Sequence, residues 1–286
     1  MAAATLAAEL DAATTALEAA GLASARVDAE WLLAGLLGVG RAAVRLELAE
    51  PVPAPIAERY AVAVRRRAGR EPLQRILGWE DFRGVRVRLT NAVLVPRPET
   101  EMLVEWALAL LPEPGDRRLL AIDVGTGSGC IACALACERP DLDVIAVDVS
   151  PAAAAVARDN ARALGVAERV RVVAADLLEC VRGLRADLIV SNPPYLPTAT
   201  VPELEPEVRA HEPRLALDGG PDGLALIRRI AATARGCLKP SGALALETAG
   251  DAQAEAAAAL LRGARLQAVA VRADLAGVDR FVAGRA

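Results

Sequence analysis

An apolar run, Arg118-Leu119-Leu120-Ala121-Ile122-Asp123-Val124, ends in Gly125-Thr126-Gly127-Ser128-Gly129, and small apolar residues from Cys130 to Ala136 follow at once. This reads as a buried strand, a tight turn and a helix, and a turn so poor in Cβ atoms lets backbone approach a ligand closely. Downstream of it, strand-like and helix-like segments alternate. Strands are predicted near 118–124, 143–149, 170–176, 186–191, 242–248, 266–272 and 279–284. That alternation predicts an α/β domain with a mostly parallel sheet covered on both faces.

The second strand, Val144-Ile145-Ala146-Val147-Asp148, ends in an acid roughly 20 residues past the turn, a position suited to accept hydrogen bonds from ribose hydroxyls. The glycines are spaced G-x-G-x-G, and no Lys-Ser/Thr follows them. Neither a dinucleotide pyrophosphate nor a nucleoside triphosphate is therefore the natural ligand. A fourth strand, Ala186 to Ser191, runs into Asn192-Pro193-Pro194-Tyr195. Ligand chemistry in open α/β sheets collects at such strand ends. Two prolines fix φ, lack N–H groups and push each preceding residue into extended backbone. The result is a stiff strip offering the Asn192 side-chain oxygen and the Pro193 carbonyl beside an aromatic ring. Such a strip suits a planar NH₂ group, which has two N–H bonds to place and a flat face to stack.

With those residues in view, the chain resembles the class I S-adenosylmethionine-dependent methyltransferases through its glycine turn, Asp148, Ala175-Asp176 and Asn192-Pro193-Pro194-Tyr195. Within them it is similar to the bacterial peptide chain release factor glutamine methyltransferases. The shared segments are Glu71-Pro72-Leu73-Gln74-Arg75-Ile76-Leu77-Gly78, Leu94-Val95-Pro96-Arg97-Pro98-Glu99-Thr100-Glu101, Glu212-Pro213-Arg214-Leu215-Ala216-Leu217, Gly219-Gly220-Pro221-Asp222-Gly223-Leu224 and Asp274 to Arg280. The resemblance implies a Rossmann-like seven-stranded sheet with an antiparallel last strand. It implies N5-methylation of the glutamine in a release factor's Gly-Gly-Gln motif, with S-adenosylmethionine as donor and no metal. Asn192, Pro193, Pro194 and Tyr195 would form the catalytic strip. Gly125, Thr126, Gly127, Ser128 and Gly129 would hold the methionine end of the cofactor, Asp148 its ribose, and Asp176 and Leu177 its adenine. Asn192 would touch both cofactor and substrate. Leu177 stands where the family often has a larger or aromatic residue, and Arg97 and Glu99 resemble residues near the cofactor pocket. Alternatives are a glutamine methyltransferase acting on a ribosomal protein, a DNA adenine-N6 methyltransferase, and a non-catalytic module that keeps the fold.

Charge and composition narrow these choices. The formal net charge is −4, whereas proteins that grip DNA phosphates usually carry a basic face. Arg65-Arg66-Arg67 and Arg228-Arg229 are only local clusters, and the first is expected on the solvated side of a helix. The single histidine, His211, excludes a multi-histidine metal site and is expected at the rim of the substrate loop or in packing. Cys130, Cys133 and Cys137 recur at helical spacing and are expected to fill the core as small apolar groups. Reduced thiols fit the cytoplasm. No uncharged apolar stretch reaches the ~18 residues of a membrane span. The segment from Met1 to Glu9 has no basic stretch ahead of its apolar residues, which argues against a secretory leader.

At 286 residues the chain fits one large and one small domain. Residues 1–72 are expected to form a small partner-docking domain of about four helices, carried by Leu6, Leu10, Leu17, Trp31, Leu32 and Leu36. Residues 73–96 are expected as a β-hairpin linker, since Val85-Arg86-Val87-Arg88-Leu89 alternates between turn residues. Residues 97–286 would form the methyltransferase domain, opening with a helix at Pro98. The stretch from Leu196 to Pro221 is longer than an ordinary connection and is expected to act as a substrate lid.

Overall fold

The computed structural model describes residues 4–286, so Met1 to Ala3 of the segment read for a leader lie outside the described residues. The chain divides into two compact units. One contains the residues up to Trp79 together with Glu205–His211; the other contains Glu80–Leu204 and Glu212–Ala286.

The first unit is helical: α1 (Leu6–Ala19), α2 (Ala25–Leu37), α3 (Arg41–Leu46), α4 (Ala54–Ala68), α5 (Leu73–Leu77) and, from far along the chain, α9 (Pro206–His211). Thr5 caps α1 by accepting from the Ala8 N–H, and Leu6, Leu10, Ala13 and Leu17 form its buried stripe. These pack with Leu32, Leu33 and Tyr60 into one apolar core, each fully buried leucine contributing about 1.5–3 kcal/mol. The Tyr60 hydroxyl donates to the Ala29 carbonyl across 3.0 Å.

The basic cluster at the end of α4 departs from expectation at Arg67. Arg65 and Arg66 are exposed, but Arg67 is buried, where its Nε donates to Asp28 Oδ2 at 2.7 Å. The helix turns the third arginine inward because α2 places a carboxylate there. Arg67 and Arg70 also pair with Glu207 at 3.2 and 2.7 Å, which ties α9 into this unit. His211, the last residue of α9, therefore belongs to the helical unit.

The second unit begins inside a two-stranded hairpin, β1 (Trp79–Phe82) and β2 (Val85–Arg88), and continues with α6 (Pro98–Leu110). Val85 and Val87 are buried while Arg86 and Arg88 face out, and Phe82, Val85, Val87 and Leu89 join the large core of the sheet. There follow β3 (Leu119–Val124), α7 (Cys130–Glu138), β4 (Leu142–Asp148), α8 (Pro151–Ala163), β5 (Val170–Ala174), β6 (Ala186–Ser191), α10 (Ala225–Cys237), β7 (Leu238–Glu247), α11 (Asp251–Gly263), β8 (Gln267–Ala273) and β9 (Asp279–Arg285). The seven-stranded order is β5-β4-β3-β6-β7-β9-β8, with β9 antiparallel to both neighbours. β7 starts earlier than its apolar run because Leu238 pairs with Ala186 across a register shift.

Adjacent residues of a strand feed opposite faces. Ala121 joins the core formed with α6, α7 and α8, whereas Ile122 joins the core formed with α10 and α11. The strand order reverses between β3 and β6, which pair in parallel from Ala121↔Leu188 to Asp123↔Val190. The loops leaving those two strands flank the switch point, where such sheets hold their ligands.

Candidate active site

A cavity of about 340 Å³ is lined from the loops at the carboxyl ends of β3, β4, β5 and β6. It takes Gly125 and Gly127 from the first loop, Asp148 from the second, Asp176 and Leu177 from the third, and Asn192, Pro193 and Pro194 from the fourth. Those eight residues, far apart in sequence, share one wall system. Thr126, Ser128, Gly129 and Tyr195 do not line it.

The glycine turn is held from behind. Gly125 N–H and Thr126 N–H both donate to the Val147 carbonyl, at 2.8 and 3.0 Å. Gly127 N–H donates to Asp148 Oδ2 at 2.8 Å, and Ser150 N–H to Asp148 Oδ1 at 2.8 Å. Each Asp148 oxygen keeps a further lone pair for a ligand. The Thr126 hydroxyl donates to Asp123 Oδ2 at 2.6 Å, while Asp123 Oδ1 is buried without a partner. Burial pushes the Asp123 carboxyl up to about 7, against the pull of the Thr126 hydrogen bond. Gly129 has φ +80°, and a Cβ there would sit 3.0 Å from that of Ala157, so only glycine lets α8 close on this turn. Asn160 of α8 completes the clamp: its Nδ2 donates to the Ser128 and Arg88 carbonyls, and its Oδ1 accepts from Arg88 N–H.

The proline strip lies beside the turn. Ser191 Oγ donates to the Val124 carbonyl at 2.6 Å, joining the ends of β6 and β3, and a Cβ on Gly125 would come within 4.0 Å of the Asn192 carbonyl. Asn192 Nδ2 donates to Thr100 Oγ1 of α6 at 3.0 Å. The Tyr195 hydroxyl donates to Glu247 Oε1 at 3.4 Å, directed at the end of β7. Beneath the strip runs the long loop. Leu196 N–H donates to the Leu217 carbonyl, Gly219 N–H to the Leu196 carbonyl, and Gln253 Nε2 to the Tyr195 carbonyl at 2.9 Å. Glu212 accepts from Val95 N–H at 3.4 Å and pairs with Arg97 at 3.6 Å, which gives Arg97 a role in holding the loop.

Two family models match this chain: the PrmC N-terminal domain over residues 10–78 and the methyltransferase small domain over residues 101–203. The release factor glutamine methyltransferase of Cereibacter sphaeroides is 46% identical over 276 residues, covering 96% of each chain. That of Moorella thermoacetica is 44% identical over 283 residues, covering 98% of this chain and 99% of the other. The chain belongs to the release factor glutamine methyltransferase family. Among solved structures, the hMettl16 catalytic domain in complex with a MAT2A 3′UTR hairpin aligns at TM-score 0.58 with 17% identity, covering 80% of this chain and 81% of that one. A methyltransferase from Pyrococcus furiosus aligns at TM-score 0.53 with 17% identity, over 71% and 89%. These two share the class I methyltransferase fold.

In this member of the release factor glutamine methyltransferases, the cavity wall carries two carboxylates and one cation. Arg229 is already paired with Asp176 at 2.6 Å, and both are half-exposed. Leu177 lines the wall with φ +49°. Cys130 and Cys133 are buried in the core, their thiols pushed up by burial, whereas Cys137 at the end of α7 is exposed. Three residues of the site escape sequence reading: Thr100, Asn160 and Glu247. Thr100 lies in a polar run at the start of α6, and Asn160 among charged residues on α8. Glu247 did carry a signal, since it closes an apolar strand as Asp148 closes β4.

Proposed function

We propose that this enzyme transfers a methyl group from S-adenosylmethionine to the N5 amide nitrogen of the glutamine in the Gly-Gly-Gln motif of peptide chain release factors. The observation that carries this reading is one cavity lined by both the glycine turn and the Asn192-Pro193-Pro194 strip.

The residues present fit the donor. A wall of Gly125 and Gly127 backbone suits the amino-acid end, Asp148 offers carboxylate lone pairs to ribose hydroxyls, and Leu177 and Asp176 border a base. The one lining cation is already committed to Asp176, so nothing here favours a polyphosphate. When bound, S-adenosylmethionine supplies an electrophilic methyl on a sulfonium, whose sulfur departs as a neutral thioether.

An amide nitrogen is a weak nucleophile because its lone pair is delocalised into the carbonyl. Asn192 Oδ1 and the Pro193 carbonyl accept its two N–H bonds, hold the plane of the amide and stabilise positive charge as it develops on nitrogen. The nitrogen gains a bond to carbon and then loses one proton to solvent, so no strong base is required beforehand. Alignment of this kind contributes about 7–11 kcal/mol towards a barrier, and a directed dipole about 3–4 more. Tyr195, anchored on Glu247, flanks the strip.

The N-terminal helical domain, proposed as residues 1–72, docks the release factor. Residues 73–96 connect it to the catalytic domain of 97–286, and the work is done in the cytoplasm with neither metal nor nucleic acid. Incubating the enzyme with labelled S-adenosylmethionine and purified release factor, ribosomal protein and DNA in parallel tests the reading. Label is expected in the release factor, on glutamine; label in DNA alone overturns the assignment, and label confined to a ribosomal protein redirects it.

A further inference from the structure

Glu247 ends β7 at the sheet edge that carries the strip. Its side chain is 1% exposed, and its Oε2 has no hydrogen-bond partner. Oε1 takes the Tyr195 hydroxyl, and the Thr100 side chain is among the groups that face the carboxylate. A carboxylate buried with so little compensation is costly to keep. Thr100, which faces it, accepts from the Asn192 amide.

The direction of those bonds follows from proton counting. A threonine hydroxyl has one proton to donate, and an ionised carboxylate can only accept. A Thr100 proton given to the Glu247 carboxylate would leave the hydroxyl's lone pairs for Asn192, whose Nδ2 donates to them at 3.0 Å. Were the Asn192 amide flipped, Oδ1 would face those lone pairs with no proton between them. Its NH₂ group would then confront the NH₂ of a substrate amide, donor against donor.

We propose that Glu247 and Thr100 are positioning residues, a carboxylate–hydroxyl relay that locks the Asn192 side chain with Oδ1 directed at the substrate amide. This rests on the amide-clamp reading of Asn192 given above. The groups facing Glu247 are Thr100 and Glu99 of α6, Tyr195 beyond β6 and Arg280 of β9. Burial pushes its carboxyl up to about 7, with Glu99 adding to the rise and Thr100, Arg280 and Tyr195 opposing it. Once protonated, Glu247 becomes a donor and ceases to claim the Thr100 proton, so the lock weakens on the acid side.

The test compares Thr100→Val, Thr100→Ser, Glu247→Gln and Asn192→Ala for turnover on release factor, KM, S-adenosylhomocysteine affinity and pH profile. Around metal ligands, losing an outer hydrogen-bond partner typically costs about 10- to 100-fold, and a loss of the same order is expected for a partner that orients Asn192. Thr100→Val is expected to lose about that much kcat with product affinity within about threefold, and Thr100→Ser to restore most of it. The wild type is expected to show an acid limb near pH 7 in kcat that Glu247→Gln lacks. Wild-type turnover in Thr100→Val beside a dead Asn192→Ala refutes the relay alone. An active Asn192→Ala refutes the clamp itself. If Thr100→Val does not fold, the pH profile decides: a limb that persists unchanged in Glu247→Gln overturns the proposal.

Discussion

Gly223→Ala probes the support of the proline strip without touching a proposed reacting group. Gly223 has φ +74°, and a Cβ there would lie 2.2 Å from the Tyr195 carbonyl oxygen and 2.6 Å from Gln253 Nε2. Ordinary contact begins at 3.4 Å, so the Tyr195 carbonyl must retreat by about 1 Å. The left-handed backbone adds about 1–2 kcal/mol for a non-glycine residue, and overpacking about 1–3 more. The sum, about 2–5 kcal/mol, corresponds to a Tm lower by about 5–15 °C in a unit of this size. Because Pro193 and Pro194 are stiff, the shift carries to the Asn192 and Pro193 acceptors, and a misplacement of about 1 Å reduces turnover about 100-fold. Gly165→Ala is the control, with φ +71° and open space around the added Cβ. It is expected to lose only the left-handed term and to keep full turnover. Calorimetry and single-turnover kinetics on both variants separate the two contributions. If Gly223→Ala matches Gly165→Ala in both Tm and turnover, the idea that this loop braces the strip is wrong.

Other expectations concern the clamp, a buried ion pair and a buried acid. Asn192→Ala is expected to lower turnover by at least about 100-fold, as for loss of one directed dipole, with S-adenosylmethionine affinity within about tenfold. Isothermal titration and kinetics check this, and near-normal turnover excludes the clamp. Arg67→Ala leaves Asp28 buried without its cation and is expected to cost about 3–5 kcal/mol in denaturant unfolding; a loss below about 1 kcal/mol contradicts the pairing. Asp123 has a folded carboxyl raised to about 7 from an ordinary 3.8, so the stability it contributes is present at acid pH and is lost as pH rises through 7. Asp123→Asn lacks that slope. Its Tm relative to wild type is therefore expected to rise between pH 4 and pH 7 and to level off above, and a pH-independent difference counts against the assignment.

How much of this was legible beforehand depends on whether the cause is local. The β3 turn and β6 strip could be read because apolar runs, glycines and prolines act on their own backbone. The parallel pairing of β3 and β6 then brings Val124 and Ser191 together, so two strand ends read separately become one cavity. The helix from Pro98 to Leu110 follows from proline at its first position. By contrast, α9 lies within a stretch expected as a lid, and its place with the helical unit depends on Arg67 and Arg70 meeting Glu207. No local pattern announces a pairing across that sequence distance. The burial of Arg67 has the same origin, because Asp28 lies on another helix. Residues 73–96 show both cases: the Val85-Val87 alternation marks the hairpin, but its entry into the main core is a tertiary matter. Thr126, Ser128 and Gly129 read as ligand contacts by their position in the turn. The structure turns Thr126 towards Asp123, Ser128 towards Asn160 and Gly129 against Ala157.

The most direct test of the amide clamp is a crystal structure of the enzyme with S-adenosylhomocysteine and a glutamine-bearing Gly-Gly-Gln peptide. The account expects the glutamine Nε2 about 3 Å from both Asn192 Oδ1 and the Pro193 carbonyl oxygen, with the cofactor sulfur on the open side of that nitrogen. A glutamine bound elsewhere in the cavity, or one whose carbonyl rather than its NH₂ meets Asn192, contradicts it.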